Sequence, residues 1–435
     1  MRSGGAVAVR LVDVSRPVTA LDDVQEYERV RIYAQREGRL LGYAEVRNHG
    51  AALSAGRVRE ALVDALDVRL IAADPATGTV DALIDSLIDE LIGEDRDIPG
   101  PADEKLDPAV SVSIVIATFD RPDDLRNMLV WIREQRTERP VEIVLVDNHP
   151  SSGITPAVTA GFPDVILVQE PRQGLAYARN AGILASTGDI IVMTDDDVRP
   201  PPDWLETLIA PLARNDVGAV TGNVLPLELE TSAQRIFEIY GGLGRGFERR
   251  EVDLRWFNNC KWVVPTWTLG ASANAAFRSS LFRDPRIGLM HEALGPGMPS
   301  GVGEDTYLFY RILKAGYTMI YDPSAYVWHR HRTDMESLRA QLYGYSKGHV
   351  AYHLTTLLED HDLRALAYLT LRLPFGQSRR ILKRLRRKSA YPLKLSMVEI
   401  GGQLAGPGAL WKSRRRVARE GRSIQLSSSN EEGTE

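Results

Sequence analysis

Apolar and polar positions change rhythm near residue 108, and that change divides the chain. Beyond it, short apolar runs alternate with amphipathic ones. Residues 112–118, 141–147 and 165–169 read as strands, and 123–135, 175–185, 203–214 and 307–315 as helices. A fourth strand begins behind Gly188-Asp189 with Ile190, Ile191, Val192 and Met193, and runs straight into Asp195, Asp196 and Asp197. Further strands are expected at 217–222, 317–321 and 325–328. Strand alternating with helix implies an α/β fold around a mainly parallel central sheet.

The flanking regions follow other rhythms. Residues 27–33 and 40–46 alternate around a turn at 37–39, which predicts a β-hairpin, with a helix at 54–66 covering one face. Together these make residues 1–78 a small α+β module, independent of the rest and without a catalytic constellation. Residues 79–109 read as an acidic helix (80–92) followed by a linker broken by Pro99, Gly100, Pro101 and Pro108. The central domain spans 110–333. Within it, 225–262 is irregular, rich in Gly, Arg and aromatics, and reads as a functional loop or an insertion. The Gly/Pro/Ser stretch 295–303 reads as a flexible loop suited to a lid. Residues 334–422 form a helical, basic region, and 423–435 a disordered tail.

Composition narrows the class without deciding it. The 435 residues are 44% hydrophobic and 26% charged, as in a globular protein of two or three domains. A net charge of −5 gives no field that would favour nucleic acid. Cys260 is the single cysteine, which excludes an internal disulfide and fits a reducing cytosol. The N-terminus lacks the apolar core of a signal peptide, and no run approaches about 18 uninterrupted apolar residues, so neither secretion nor a transmembrane helix is expected. From Arg379 to Lys388 a dense cationic run is interspersed with Ile381, Leu382 and Leu385. That pattern reads either as a solvated helix face or as an interfacial helix on anionic lipid, so the expected location is cytoplasmic, with peripheral contact at the inner face of the cell membrane open.

The candidate chemistry lies at strand ends. Open α/β sheets place ligands beyond the carboxyl ends of their strands, and two such ends carry carboxylates, Asp147 and Asp195. Packed carboxylates repel unless a cation neutralises them, and hard oxygen ligands suit Mn²⁺ or Mg²⁺ shared with a diphosphate. A second acidic centre, Glu304-Asp305, starts a helix, where it reads as a cap or as a catalytic pair. Strand alternation puts His329 and His331 on one face, with His329 a candidate metal or diphosphate ligand. Neither the dinucleotide fingerprint nor a P-loop is present.

The ordered set resembles family 2 glycosyltransferases of the GT-A fold. It comprises the strand 113–118 with Phe119-Asp120-Arg121-Pro122, the strand ending Val146-Asp147-Asn148, Gly174 with Arg179-Asn180, the Asp195-Asp196-Asp197 triplet, Gly303-Glu304-Asp305, and the late His329. It covers about residues 110 to 335. Two positions depart from the family pattern: Asp120 stands where Asn is usual, and Asp147-Asn148 replaces an Asp pair.

The resemblance implies transfer of a sugar from a nucleotide-sugar donor, foremost a UDP-sugar, to a hydroxyl with inversion. It makes the triplet the D-x-D motif, with Asp195 near the ribose and Asp197, Asp195 and His329 around Mn²⁺ or Mg²⁺. Asp147 and Arg179 would hold the base, and Thr118, Asp120, Arg121, Asn148, Gly174 and Asp196 would line the donor site. Asp305, beside Glu304, would be the general base. Trp267, Gly270, Ala271 and Asn274 lie where an acceptor would be met, whether a lipid-linked or envelope glycan or a small metabolite. A nucleotidyltransferase would need a Gly-rich loop after the first strand, where Phe119-Asp120-Arg121-Pro122 stands instead. A non-catalytic binding module would be expected to lack Asp197 or Asp305, and both are present.

Overall fold

The computed structural model describes residues 5–36, 38–66, 105–386 and 391–424. The expected helix at 80–92, most of the linker and nearly all of the tail lie outside them. In the N-terminal module, β1 (Val7–Asp13), β2 (Arg29–Arg36) and β3 (Arg39–Arg47) form a three-stranded sheet in that order. The expected hairpin is β2–β3; β1, which adds parallel to β2, is not evident from alternation alone. Helix α1 (Ala55–Ala65) is capped by Ser54 and buries Val58 and Leu62 against the sheet. The module does not stand apart. Its Tyr33 and Leu40 pack in one cluster with Leu225, Tyr326 and Trp328 of the central domain.

The central domain is built on a nine-stranded sheet. Its strands are β4 (Val112–Thr118), β5 (Val141–Asp147), β6 (Val165–Gln169), β7 (Ile190–Asp195), β8 (Val198–Arg199), β9 (Val217–Pro226), β10 (Arg250–Val252), β11 (Asn274–Arg278) and β12 (Thr318–His329). They lie in the order β10-β12-β9-β11-β7-β4-β5-β6, with β8 against β12. Strands β6, β5, β4 and β7 run parallel, while β11 runs antiparallel to both β7 and β9. Alternation along β4 splits the core between two faces. Ile114 and Ile116 meet α2 (Pro122–Arg133) and α5 (Trp204–Ile209). Val115 meets α4 (Leu175–Ala185) and the cluster of α8 (Glu304–Lys314). Gly182 is what lets α4 lie flat on the sheet: a Cβ there would come within 2.4 Å of Val115.

Three expectations change here. Residues 225–262 are largely regular: β9 continues to Pro226, then come α6 (Ser232–Tyr240), β10 and α7 (Leu254–Asn259). Thr231 and Gln234 close a reciprocal capping box at the start of α6, a signal present in the sequence. The two late strands are one, β12, whose register to β9 slips between Asp322 and Tyr326. Pro323 lacks the donor a ladder needs, and a bulge absorbs it. The stretch 295–303 is packed rather than loose: Ser300 N donates to Ser413 Oγ at 2.9 Å and Lys347 to the Pro299 carbonyl at 2.9 Å.

The last region is a helical layer of α9 (Met335–Glu359), α10 (Leu363–Ala367), a π turn, α11 (Leu373–Leu385) and α12 (Leu393–Glu420). Helix α12 lies along α9 and returns to the sheet, where Arg416 donates to the carbonyls of Gln173 (2.7 Å) and Gly297 (3.0 Å). Among the described residues, no helix is long and apolar enough to cross a membrane.

Candidate active site

Register brings the acids together. On β4, Ala117 pairs with Asp195 and Thr118 with Asp147, so three neighbouring strand ends carry Thr118, Asp147 and Asp195. Asp196 turns inward and is buried; Thr118 Oγ1 donates to it at 2.8 Å and Arg121 Nη1 at 3.0 Å. Burial pushes its carboxyl up to about 7, against the pull of Arg121. Asp197 accepts from the same Arg121 nitrogen at 2.6 Å, and its Oδ1 lies 3.5 Å from His329 Nε2. Burial would raise Asp197, but its cationic surroundings (His329 when protonated, Arg121 and Arg332) hold it below the usual carboxylate range. Burial pushes the His329 imidazole down.

Arg179 joins this cluster to the second acidic centre. It is 2% exposed, and Nη2 donates to Asp195 at 2.7 Å. Nη1 donates to Glu304 at 3.1 Å and to Ser272 Oγ at 2.6 Å. Its guanidinium is thus engaged at both ends by carboxylates instead of open to a base. Glu304 is buried; burial and Asp305 push its carboxyl up to about 8 against the pull of Arg179. Asp305, half-buried, accepts from Thr306 N at 2.6 Å and from Ser272 N at 3.3 Å. Ser272 therefore touches both Arg179 and Asp305, a link that no sequence motif announced.

Other expected residues fall into distinct roles. Asp147 is wholly buried; Oδ1 accepts from His149 N, and Oδ2 has no hydrogen-bond partner. That unmatched oxygen suits a donor N–H or ribose hydroxyl. Asn148 is spent on the chain itself: its amide donates to the Glu170 and Arg172 carbonyls and accepts from Gly174 N, fixing the start of α4. Asp120 has a left-handed backbone (φ 53°), and its carboxylate meets His149 Nδ1 at 2.5 Å. Beside it Phe119 stacks flat on His149, centroids 4.9 Å apart, an exposed platform that was not anticipated.

On the acceptor side, Asn274 lies in the core. Its amide accepts from Trp204 Nε1 and donates to the Asn223 and Ala325 carbonyls, so its hydrogens are fully used. Gly270 (φ 101°) is needed for packing, since a Cβ would sit 2.7 Å from Thr221. Ala271 is half-buried beside Ser272, and Trp267 stands edge-on to His349 and His353.

Among the described residues, no three His, Cys, Asp or Glu side chains converge into a complete metal cage. Asp197 Oδ1 and His329 Nε2 face each other as one oxygen and one nitrogen donor, an incomplete set that fits a cation whose remaining ligands come from a diphosphate and water.

Residues 113–281 match the family model described as "Glycosyl transferase family 2". They form a family 2 glycosyltransferase domain. The pre-mycofactocin glycosyltransferase of Mycobacterium tuberculosis is 29% identical over 247 residues, 55% of this chain and 47% of that one. The glucosyl-dolichyl phosphate glucuronosyltransferase of Haloferax volcanii is 32% identical over 156 residues, 34% of this chain and 50% of that one. The chain thus spans about half the length of these curated relatives. A mannosyltransferase of Pyrobaculum calidifontis, solved with GDP-Man and Mn²⁺, superposes with a TM-score of 0.47 at 20% identity, covering 84% of this chain and 100% of that one. The glycosyltransferase domain carries its acids on the strand ends and on the start of α8, with the N-terminal module and the helical layer packed around it.

Proposed function

We propose that the domain transfers a sugar from a nucleoside-diphosphate donor, a UDP-sugar first among those to test, to an acceptor hydroxyl with inversion. The observation that carries this reading is the guanidinium of Arg179, bonded at once to Asp195 at the sheet edge and to Glu304 at the start of α8. That bridge joins the strand-end acids to the start of α8, where Asp305 follows Glu304, and so supports single displacement with a donor-side acid cluster and a separate base.

Asp147, with its free buried oxygen, and the Phe119–His149 stack suit the nucleoside. Asp197 and His329 would hold Mn²⁺ or Mg²⁺, which when bound supplies positive charge to the departing diphosphate. Arg121 neutralises the triplet and is itself one-third exposed, so it can turn toward phosphate oxygens. Asp305 is the general base: its carboxylate takes the acceptor proton as the new C–O bond forms and the bond to the diphosphate breaks. Arg179 and Ser272 hold that carboxylate in line.

Incubation with a panel of UDP-, GDP- and dTDP-sugars and Mn²⁺, scoring release of the nucleoside diphosphate, tests the reading. Asp305→Asn should lose about 10²–10⁴-fold in rate while still binding donor. Asp197→Ala should lose metal-dependent donor binding. Near-full transfer by Asp305→Asn would sink the base assignment.

An anionic membrane surface is the proposed setting of the acceptor. Leu371, Phe375 and Leu382 are exposed on the π turn and α11, with Arg379 and Lys383 exposed among them. Apolar wedges between cations suit a lipid interface. Sedimentation with phosphatidylserine vesicles, lost when Arg379 and Lys383 become Ala, is the expected result; no sedimentation of the unaltered chain removes the proposal.

A further inference from the structure

His329 is supported from behind by a chain of contacts that ends in the N-terminal module. Arg31 on β2 is 8% exposed, and its Nη1 donates to Glu238 Oε2 at 2.5 Å while Nη2 donates to Glu45 at 2.6 Å. Glu238, on α6, meets His331 Nε2 through its other oxygen at 3.0 Å. His331, whose side chain is fully buried, stands edge-on to Phe237 at 4.8 Å. Its Nδ1 lies 3.0 Å from His329 Nδ1. The line closes at the acid cluster, with His329 Nε2 3.5 Å from Asp197 Oδ1.

Two ring nitrogens at that separation share one hydrogen. The Glu238 carboxylate, anchored by Arg31, offers His331 Nε2 only lone pairs, so that nitrogen carries the hydrogen. With both rings neutral, His331 Nδ1 is then an acceptor, His329 Nδ1 is its donor, and His329 Nε2 is left with a bare lone pair. That lone pair faces a carboxylate oxygen, and a cation is the partner that satisfies both. Ligating histidines are commonly fixed in this way by a carboxylate behind them, and loss of such partners weakens metal binding by about 10- to 100-fold.

The module also grips the strands that carry this line. Tyr33 packs edge-on to Trp328 at 5.4 Å, Tyr326 OH donates to Gln35 at 3.0 Å, and Val7 N donates to the Leu229 carbonyl at 3.2 Å. These contacts bracket His329 on β12 and the turn between β9 and α6.

We propose that Arg31, Glu238 and His331 are positioning residues that set the tautomer and orientation of His329, so that the N-terminal module forms the outer wall of the cation site. This rests on the reading of Asp197 and His329 as cation ligands given above.

The test uses the full chain with Mn²⁺ alone as probe, and long-range ¹H–¹⁵N spectra of histidine-labelled, metal-free protein. The wild type should show His329 protonated on Nδ1 and bare on Nε2. In Glu238→Gln the amide can donate to His331 Nε2, which reverses both tautomers. The His329 hydrogen should move to Nε2, and Mn²⁺ affinity should fall about 10- to 100-fold in a variant that still melts cooperatively. Mn²⁺ affinity within twofold of wild type, with an unchanged His329 spectrum, overturns the proposal. So does a wild-type spectrum with the hydrogen on His329 Nε2, a result that decides the matter even if Glu238→Gln fails to fold. A wild type that binds no Mn²⁺ yet shows the expected tautomers would instead overturn the cation reading and leave the relay standing.

Discussion

Replacing Arg179 by Met would remove a group that bonds both acidic centres while keeping much of its volume. At 2% exposure, the loss strips three hydrogen bonds, to Asp195, Glu304 and Ser272, from the buried seam between the two acidic centres. Breaking a buried ion pair on one side typically costs about 3–5 kcal/mol, because the surviving charge stays buried. Asp195 is partly open to water and can be solvated. Glu304 cannot, but its carboxyl, already pushed up to about 8, can escape by keeping its proton.

The cost should therefore depend on pH. A carboxyl raised in the folded state contributes stability that is full below its unfolded value, near 4.5, and is lost as pH rises through about 8. At pH 6 the variant loses chiefly hydrogen bonds, about 2–3 kcal/mol. At pH 9 it must also hold a proton against solution or bury a bare charge, and the loss should approach about 5 kcal/mol. Urea unfolding of metal-free wild type and variant at the two pH values measures this. The double variant Arg179→Met/Glu304→Gln should lose the pH-dependent part. A loss below about 1 kcal/mol, or one equal at both pH values, would show that Arg179 is not the counter-charge of Glu304.

Three further outcomes are expected. Asp196 holds a proton up to about pH 7 that the unfolded chain releases near 4, so Asp196→Asn should abolish a stability contribution of at most about 4 kcal/mol that fades as pH rises from 4 to 7; parallel pH profiles for wild type and variant would refute this. Asn274→Ala should destabilise the fold by about 2–3 kcal/mol in urea melts and leave the acceptor KM of the residual enzyme unchanged, since its amide is spent on Trp204, Asn223 and Ala325. Gly348→Val should lower transfer more than it lowers stability, because its side chain would collide with the Val302 backbone, whose carbonyl lies 2.2 Å from the Cβ position, and displace the turn that leads into Glu304 and Asp305; unchanged turnover would count against that path.

For β4, β5 and β7 the sequence alone determined where the strand ends and which polar group, Thr118, Asp147 or Asp195, stands there. Both signals are local: the β-branched run Ile190-Ile191-Val192 behind the Gly188-Asp189 turn reads as a buried strand, and Asp195 follows it whatever the partners are. Alternation also put His329 and His331 on one face; their ring nitrogens do meet at 3.0 Å, although β12 ends at His329 and His331 lies just beyond it. The order of the sheet was not, because antiparallel β11 between β7 and β9 reads in sequence only as a patch of small residues. Nor could spacing tell which polar side chains are free for a ligand. Asn148 and Asn274 resemble binding residues until the carbonyls that saturate them are brought alongside, and Asp147 keeps an oxygen that nothing nearby claims. Only tertiary structure decides this, because a hydrogen bond needs its partner within about 3 Å. The ion pairs on either side of the strand-end acids, Arg179 with Glu304 and Arg31 with Glu238, join residues 125 and 207 positions apart along the chain.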